Sequence, residues 1–266
     1  MFLSTVAKYI NLSFEIIKTN ILTAMEYRTS FLIQVLGMIV NDTALIFVWV
    51  IFFKQFNQIN GWTFADTAML YAVTTINFGL VMAFFRGSFE LARTIARGEL
   101  DYFLALPKNV LWHVSISRSE ISALGDTIFG IIIFFFAGDV TVEKAGLFVF
   151  YVLISTIILF SFTVITQSMA FWFGNFEEAA EQIFHSLIGF TLYPQTVFHG
   201  LLKIVMLTLI PAFFIATLPV QLIRNFDPVL TVVMLVYAAS IFCIAVIIFT
   251  AGLRSYESGN LINVRI

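Results

Sequence analysis

The sequence predicts an all-α integral membrane protein with six transmembrane helices, on three observations. Sixty per cent of its 266 residues are hydrophobic, 11% are charged, and the mean hydropathy is +0.98. A soluble domain of this length needs far more polar surface to cover its core. Apolar runs recur at lengths of about 20 residues, which at 1.5 Å per helical residue match a hydrocarbon layer about 30 Å thick. Residues 86–118 interrupt those runs with Arg86, Arg93, Arg97, Lys108 and Arg118, five of the chain's 14 Lys and Arg.

Taken in order, residues 1–28 read as an amphipathic helix lying in the membrane interface. Val6, Ile10, Phe14, Ile17, Ile21 and Met25 recur three or four apart, with Lys8, Asn11, Glu15 and Lys18 on the opposite face. These charges also exclude a cleavable signal, whose apolar core would be uninterrupted. The same periodicity is compatible with a polar-flanked extension of the first span. Spans follow over residues 31–53, 66–85, 119–137, 147–171 and 229–251. The stretch from 182 to 223 is apolar but broken by Pro194, His199-Gly200, Lys203, Pro211 and Pro219. Proline removes a backbone donor and clashes with the preceding turn, so two uninterrupted spans do not fit. One span to Leu202 followed by a hairpin re-entering the membrane over 203–223 fits better, if protein buries the broken backbone. Asn175 reads as the N-cap of that fifth span, with Glu177, Glu178 and Glu181 near its first turn. The whole chain is one transmembrane domain.

Charge sets the orientation. Basic residues beside short loops stay in the cytoplasm. With both termini inside, Lys8, Lys18, Arg28, the five of the 86–118 loop, Arg254 and Arg265 face inward, against Lys54, Lys144, Lys203 and Arg224 outside. The net charge of −2 points to no class of partner, nucleic acid included. The lone Cys243 permits no internal disulfide and reads as a small buried hydrophobe.

Few residues could carry chemistry. No Gly-x-x-x-x-Gly-Lys-Ser/Thr frame exists for a nucleotide, His113, His185 and His199 show no metal-ligand spacing, and no Gly-x-Ser-x-Gly elbow occurs. Asn41-Asp42, Asp126 and Gln167 fall inside spans, where an ionisable group costs a few kcal/mol or more unless it faces protein or water. Each reads either as part of a substrate or proton path or as an interhelical packing contact, the latter being commoner.

The basic loop divides in two. Arg86, Glu90, Arg93 and Arg97 are three or four apart, predicting that the second span continues as a stiff charged helix, with Gly98 as its C-cap. Glu99, Leu100, Asp101, Tyr102, Phe103, Leu104 and Leu106 then form a short amphipathic piece stopped by Pro107. Aromatics beside carboxylates suit docking into a soluble partner. They equally suit an interfacial loop resting on lipid together with Trp112.

Gly98-Glu99-Leu100-Asp101 followed by Leu106-Pro107-Lys108-Asn109 resembles the cytoplasmic loop motif of ABC-2-type transporter permeases, in the branch of small bacterial six-span permeases without a fused ATPase. Leu124-Gly125-Asp126, Tyr193-Pro194 and the C-terminal Gly252-Leu253-Arg254-Ser255-Tyr256-Glu257-Ser258-Gly259 agree with that pattern in order and placement. The resemblance implies a type V exporter-like fold with an N-terminal connector helix, and a coupling helix formed by Gly98, Glu99, Leu100, Asp101, Tyr102, Phe103, Leu106 and Pro107. It also implies outer re-entrant helices, with Tyr193, Pro194, Pro211 and Pro219 at the outer gate. Two permease chains, identical or related, would each rest on a separate ABC ATPase subunit. ATP and Mg would then bind those partners, leaving no cofactor, metal or catalytic residue in this chain. The cargo implied is a hydrophobic or amphipathic compound (drug, antibiotic, peptide or lipid-like) exported across a bacterial cytoplasmic membrane. Two other classes stay open on the residues: an intramembrane enzyme on a lipid substrate, using Asp42, Asp126 or a histidine, and a non-transporting anchor or sensor subunit.

Overall fold

The computed structural model of the chain describes residues 2–137, 140–208 and 210–257. Ser258, Gly259 and Arg265 of the sequence reading lie outside them. The described residues are helical, with no strand among them. Helix α1 (Phe2–Glu26) is followed at Tyr27 by α2 (Arg28–Gln55), then by α3 (Phe64–Phe89), α4 (Leu91–Ala96), α5 (Leu100–Leu104), α6 (Val110–Ser117) and α7 (Leu124–Phe136). The second half comprises α8 (Val142–Ser168), α9 (Ala170–Phe173), α10 (Glu177–Thr191), α11 (Gly200–Thr208), a π-helical turn (Phe213–Thr217), α12 (Leu218–Arg224) and α13 (Pro228–Arg254).

The starts of the long helices are written locally. Thr63 and Asp66 form a reciprocal capping box on α3, Thr141 accepts from Lys144 N on α8, and Asp227 accepts from Val229 N and Leu230 N on α13. Asp66 also pairs with Arg224 at 3.0 Å, and the Asn60 amide donates to the Thr196 carbonyl at 3.0 Å. These contacts gather one end of the bundle. The opposite, basic end holds the 86–118 loop and the C-terminal end of α13.

Helix α3 is the centre of the bundle. Most of its residues are buried, and it packs on α7, α8 and α6. Close approach to α7 rests on small residues: a Cβ added at Gly130 would lie 2.8 Å from the Ala72 carbonyl oxygen, and one at Gly79 2.7 Å from that of Ala123. At Gly125 an added Cβ would lie 2.8 Å from the Val35 carbonyl of α2. By contrast α2 buries only Asp42 and Ile46 of its 28 residues. Helix α13 buries Thr231, Met234, Ala238, Ile241, Ala245, Phe249 and Gly252, a stripe with helical spacing. Cys243 falls on the other face and is exposed, correcting its assignment to the core.

Among the described residues four helices are long and apolar enough to cross a membrane, beginning at Arg28, Phe64, Val142 and Pro228. The two pieces Val110–Ser117 and Ile121–Phe136, bent by 78°, make a fifth where the pair counts as one span. The span expected over 119–137 corresponds to the second piece, and the bend falls just before it. Arg118 is extended (φ −125°, ψ 145°), and Glu120 N donates to the Met82 carbonyl at 3.0 Å, so α3 holds the linker open. The span expected over 182–202 is not one helix. Helix α10 has 15 residues, about 22 Å, and stops before Pro194, which drives Tyr193 out of helical geometry. A 3-10 turn, Gln195–Val197, carries the chain on to its contact with Asn60. The helix begins at Phe176 without a side-chain cap, so Asn175 is not its N-cap.

Candidate functional site

At the basic end Phe85 leaves helical geometry (φ −130°, ψ 29°) and kinks α3. The helix predicted from Arg86 to Arg97 is nonetheless present: Glu90 N donates to Arg86 O at 3.2 Å and Thr94 N to Glu90 O at 3.0 Å, so one helix of 33 residues runs from Phe64 to Ala96. Arg86 Nε pairs with Glu90 at 2.9 Å, and its guanidinium also meets Glu120. Arg118 pairs with Glu90 and, at 3.1 Å, with Glu99. Alternating charges thus lace α3, the α5 entry and the α6–α7 linker together.

The irregular geometry at Glu90 (φ −98°, ψ 11°) draws nearby N–H groups away from their helical acceptors. In α4 one of them is satisfied from another helix: Ala92 N donates to Gln167 Oε1 of α8 at 3.0 Å, with Gln167 only 1% exposed. Arg93 Nε reaches Glu177 at the start of α10 at 2.5 Å. Helix α4 ends as the sequence directs. Gly98 takes φ 70°, Gly98 N donates to Ile95 O at 3.1 Å and Glu99 N to Thr94 O at 3.0 Å. This Schellman closure joins α4 to α5.

Helix α5 has two faces. Leu100 is fully buried, and Phe103 is half-buried with its ring 5.2 Å from His113. Asp101, Tyr102, Leu104 and Pro107 are exposed, and Leu106 is half-buried. The Tyr256 hydroxyl, at the end of α13, is buried beside the Asp101 carboxylate. Its ring contacts Phe171 of α9, which in turn occupies the space over Gly252. Burial, and then the Asp101 carboxylate, push the Tyr256 phenol up to about 12.

Helix α1 lies across this end. Asn109 N donates to Tyr9 Oη at 2.9 Å, Trp112 Nε1 to Ser13 Oγ at 3.1 Å and Asn20 Nδ2 to Ser119 Oγ at 2.9 Å. Cavities flank it, two of them large. One, of about 660 Å³, is polar and lined by residues including Asn20, Ser30, Gln34, Arg86 and Arg118. The other, of about 800 Å³, is apolar, with Trp112, Phe160 and Phe249 in its walls.

Away from the basic end, further polar contacts cross between helices, among them the buried Tyr151–Thr231 hydroxyl pair at 2.7 Å between α8 and α13. The Tyr71 hydroxyl donates to Asp42 at 3.4 Å, and the Asp42 and Asp126 carboxyl groups adjoin each other. Asn77 donates to the Ile215 carbonyl at 3.2 Å and accepts from the Thr156 hydroxyl at 2.9 Å. The Thr74 hydroxyl lies 3.0 Å from the Leu70 carbonyl and 3.3 Å from that of Thr191, the last residue of α10. The Ile215 contact has a local cause. A continuing α-helix would satisfy that carbonyl from residue 219, and Pro219 has no N–H to give.

The structure thus brings Asp42 and Asp126 together and leaves Asn41 exposed, about 100° around the helix. Of the proposed outer-gate residues, Tyr193 is exposed with its ring 5.5 Å from Trp49, while Pro194, Pro211 and Pro219 are buried. Sequence reasoning missed Asn77, Thr156, Glu120 and the Asp101–Tyr256 contact. A lone amide in the middle of an apolar span was the available signal for Asn77. The pattern of a family described as ABC-2 family transporter protein matches residues 36–259. No curated protein and no solved structure matches the chain.

Proposed function

The chain belongs to the ABC-2 family of transporter proteins, and from that membership we propose that it is the permease subunit of an ATP-driven exporter, carrying hydrophobic or amphipathic compounds out across a bacterial cytoplasmic membrane. The observation that carries this reading is the two-faced α5. Leu100 and Phe103 anchor it to the bundle, while Asp101, Tyr102 and Leu104 turn outward from the basic end. A short, braced protrusion with an aromatic and a carboxylate suits a groove in a soluble motor, since interface anchors are characteristically aromatic. In this reading α5 is the coupling helix and the basic end is cytoplasmic. Each of two permease chains, identical or related, rests on an ABC ATPase subunit that binds ATP and Mg. Closure of the ATPases tilts the permeases between inward- and outward-facing states as rigid bodies.

The chain makes six passes in this scheme, with α10 and the turn after it as the fifth. Residues 203–223 re-enter the membrane from the outer end. Support for this comes from Thr196 and Arg224 contacting the outer-end residues Asn60 and Asp66, while Ile215 between them meets Asn77, 13 residues into α3. The N-terminal α1 lies in the inner interface, its Ile10 and Phe14 turned to lipid.

The test is co-purification with the ATP-binding subunit expressed alongside. Asp101→Arg and Tyr102→Ala are expected to lower the bound ATPase by about tenfold, the equivalent of 1.4 kcal/mol, with membrane insertion unchanged. Full ATPase recovery with both variants would overturn the assignment of α5.

A further inference from the structure

We propose that the polar cavity of about 660 Å³ beside α1 holds the headgroup of a zwitterionic phospholipid with a primary amine, its phosphate at Arg86 and Arg118 and its ammonium group at Glu120. Placing that lipid in the inner leaflet rests on the orientation proposed above. The chemistry of the site does not.

The depth of the cavity follows from α2. Its 28 residues span about 42 Å at 1.5 Å each. A bilayer has about 30 Å of hydrocarbon, and about 40–45 Å with both headgroup layers. The first turns of α2 therefore lie among headgroups, and Ser30 and Gln34, which line the cavity, sit in those turns. Tyr27, also in the wall and largely exposed, is an aromatic of the kind that collects at that level. Helix α2 buries only Asp42 and Ile46, so lipid surrounds it down to the cavity's rim.

The charges in the wall sum to zero but are not fully matched. Two guanidiniums, Arg86 and Arg118, stand with two carboxylates, Glu90 and Glu120. Both oxygens of Glu90 are taken, one by Arg86 Nε and one by Arg118 Nη1. Glu120 uses Oε2 on Arg86 Nη1, and Arg118 uses Nη2 on Glu99. Among the described residues, Glu120 Oε1, Arg86 Nη2 and Arg118 Nε make no hydrogen bond. Ser119 Oγ accepts from Asn20 at 2.9 Å and keeps its own hydroxyl proton for a further acceptor. One cavity thus offers spare donors with positive charge and a spare acceptor with negative charge. A ligand carrying both signs answers that pattern. An anionic headgroup without an amine would set its phosphate against Glu120, and like charges so placed are costly. A primary ammonium brings three N–H donors to the free Glu120 oxygen, as a lysine does, whereas a quaternary one brings none.

The experiment uses the full chain, purified in detergent and offered phosphatidylethanolamine, phosphatidylcholine and phosphatidylglycerol with identical acyl chains. Native mass spectrometry counts the lipid retained. The native chain is expected to hold the ethanolamine lipid about tenfold better than either of the others, since one lacks N–H donors and the other lacks a cation. Glu120→Gln should erase the preference over the choline lipid, and Arg118→Gln should weaken the hold on both. Ser30→Trp fills the cavity from an exposed position of α2 outside the ion pairs, so it tests the site even if the charge variants do not fold. It should lower retention of the ethanolamine lipid about tenfold. Soluble phosphoethanolamine at the lipid's concentration should displace nothing. Three results would overturn the proposal: equal retention of the three lipids by the native chain, an ethanolamine preference that survives Ser30→Trp or Glu120→Gln, or displacement by the soluble headgroup. No arm contains an ATPase or nucleotide, so failure here leaves the permease reading standing, and loss of ATPase co-purification leaves this site standing.

Discussion

Replacing Asn77 by Leu keeps the side chain's size and removes its amide. The loss falls on a fully buried site where Asn77 donates to Ile215 O at 3.2 Å and accepts from Thr156 at 2.9 Å. Thr156 keeps a second acceptor, the Val152 carbonyl at 2.9 Å, so its loss is small. The Ile215 carbonyl loses its side-chain donor, and leaving a buried group unsatisfied costs about 1–3 kcal/mol. Interhelical hydrogen bonds within membranes average about 0.6 kcal/mol and reach about 1.7, so a destabilisation of about 1–2 kcal/mol is expected. The cause can be isolated. Pro219→Ala restores an N–H at the position from which a helix would satisfy Ile215, so it should recover about 1 kcal/mol in the Asn77→Leu background and much less in the native chain. Equilibrium unfolding in mixed detergent micelles, run as a double-mutant cycle, measures that difference. If Pro219→Ala changes stability equally in both backgrounds, the two residues do not share a carbonyl and the compensation argument is wrong.

Two further perturbations test other parts of the structure. The Tyr256 phenol, at about 12 against about 10 for an exposed tyrosine, is held in its neutral form by the fold. The stabilisation this gives is fully present below about pH 10 and fades as pH rises through 12. Ultraviolet difference titration against Tyr256→Phe should therefore place its transition near 12. Asp101→Asn should lower it only partway, since burial is the larger cause, and a transition near 10 in the native chain would contradict the buried placement. Gly130→Leu forces a side chain against the Ala72 carbonyl, where even a Cβ would sit at 2.8 Å. It should separate α3 from α7 at a cost of about 1–3 kcal/mol, read as a lowered thermal midpoint, whereas Gly146→Leu, where an added Cβ meets nothing within 4 Å, should leave it unchanged.

Much of the helical framework is legible in the sequence because its cause is local. Apolar runs set α2, α3, α8 and α13, the spacing of Ile10, Phe14, Ile17 and Ile21 sets α1 as a helix, and Gly98 terminates α4 through its own φ. The breaks are less legible because their causes are distant. Arg86 and Glu90, four apart, read as a pair on a straight helix, and that pair exists. Yet Glu90 is also held by Arg118, 28 residues on, and Arg86 by Glu120, contacts that helical spacing does not reveal. Likewise Asp126 is visible as a charge within a span, but only folding shows that Asp42 and Tyr71 meet it. Pro219 is visible as a helix breaker, but not that Asn77, 138 residues before Ile215, would occupy the gap.

These placements separate the bundle into two mechanical parts. From Phe64 to Phe84, α3 is continuous, and its Thr74 and Asn77 reach the carbonyls of Thr191, at the end of α10, and of Ile215. The proline-broken segments are thereby fixed to the frame by buried, directional bonds. Past Phe85 the character of the contacts changes. Arg86, Glu90, Arg93, Glu99, Arg118 and Glu120 form partly solvated pairs that can exchange partners at little cost, just past the kink at Phe85. Helix α4 belongs to both parts: Leu91, Ala92 and Ile95 are buried and Ala92 N donates to Gln167 Oε1, while Arg93 pairs with Glu177 in the half-solvated layer.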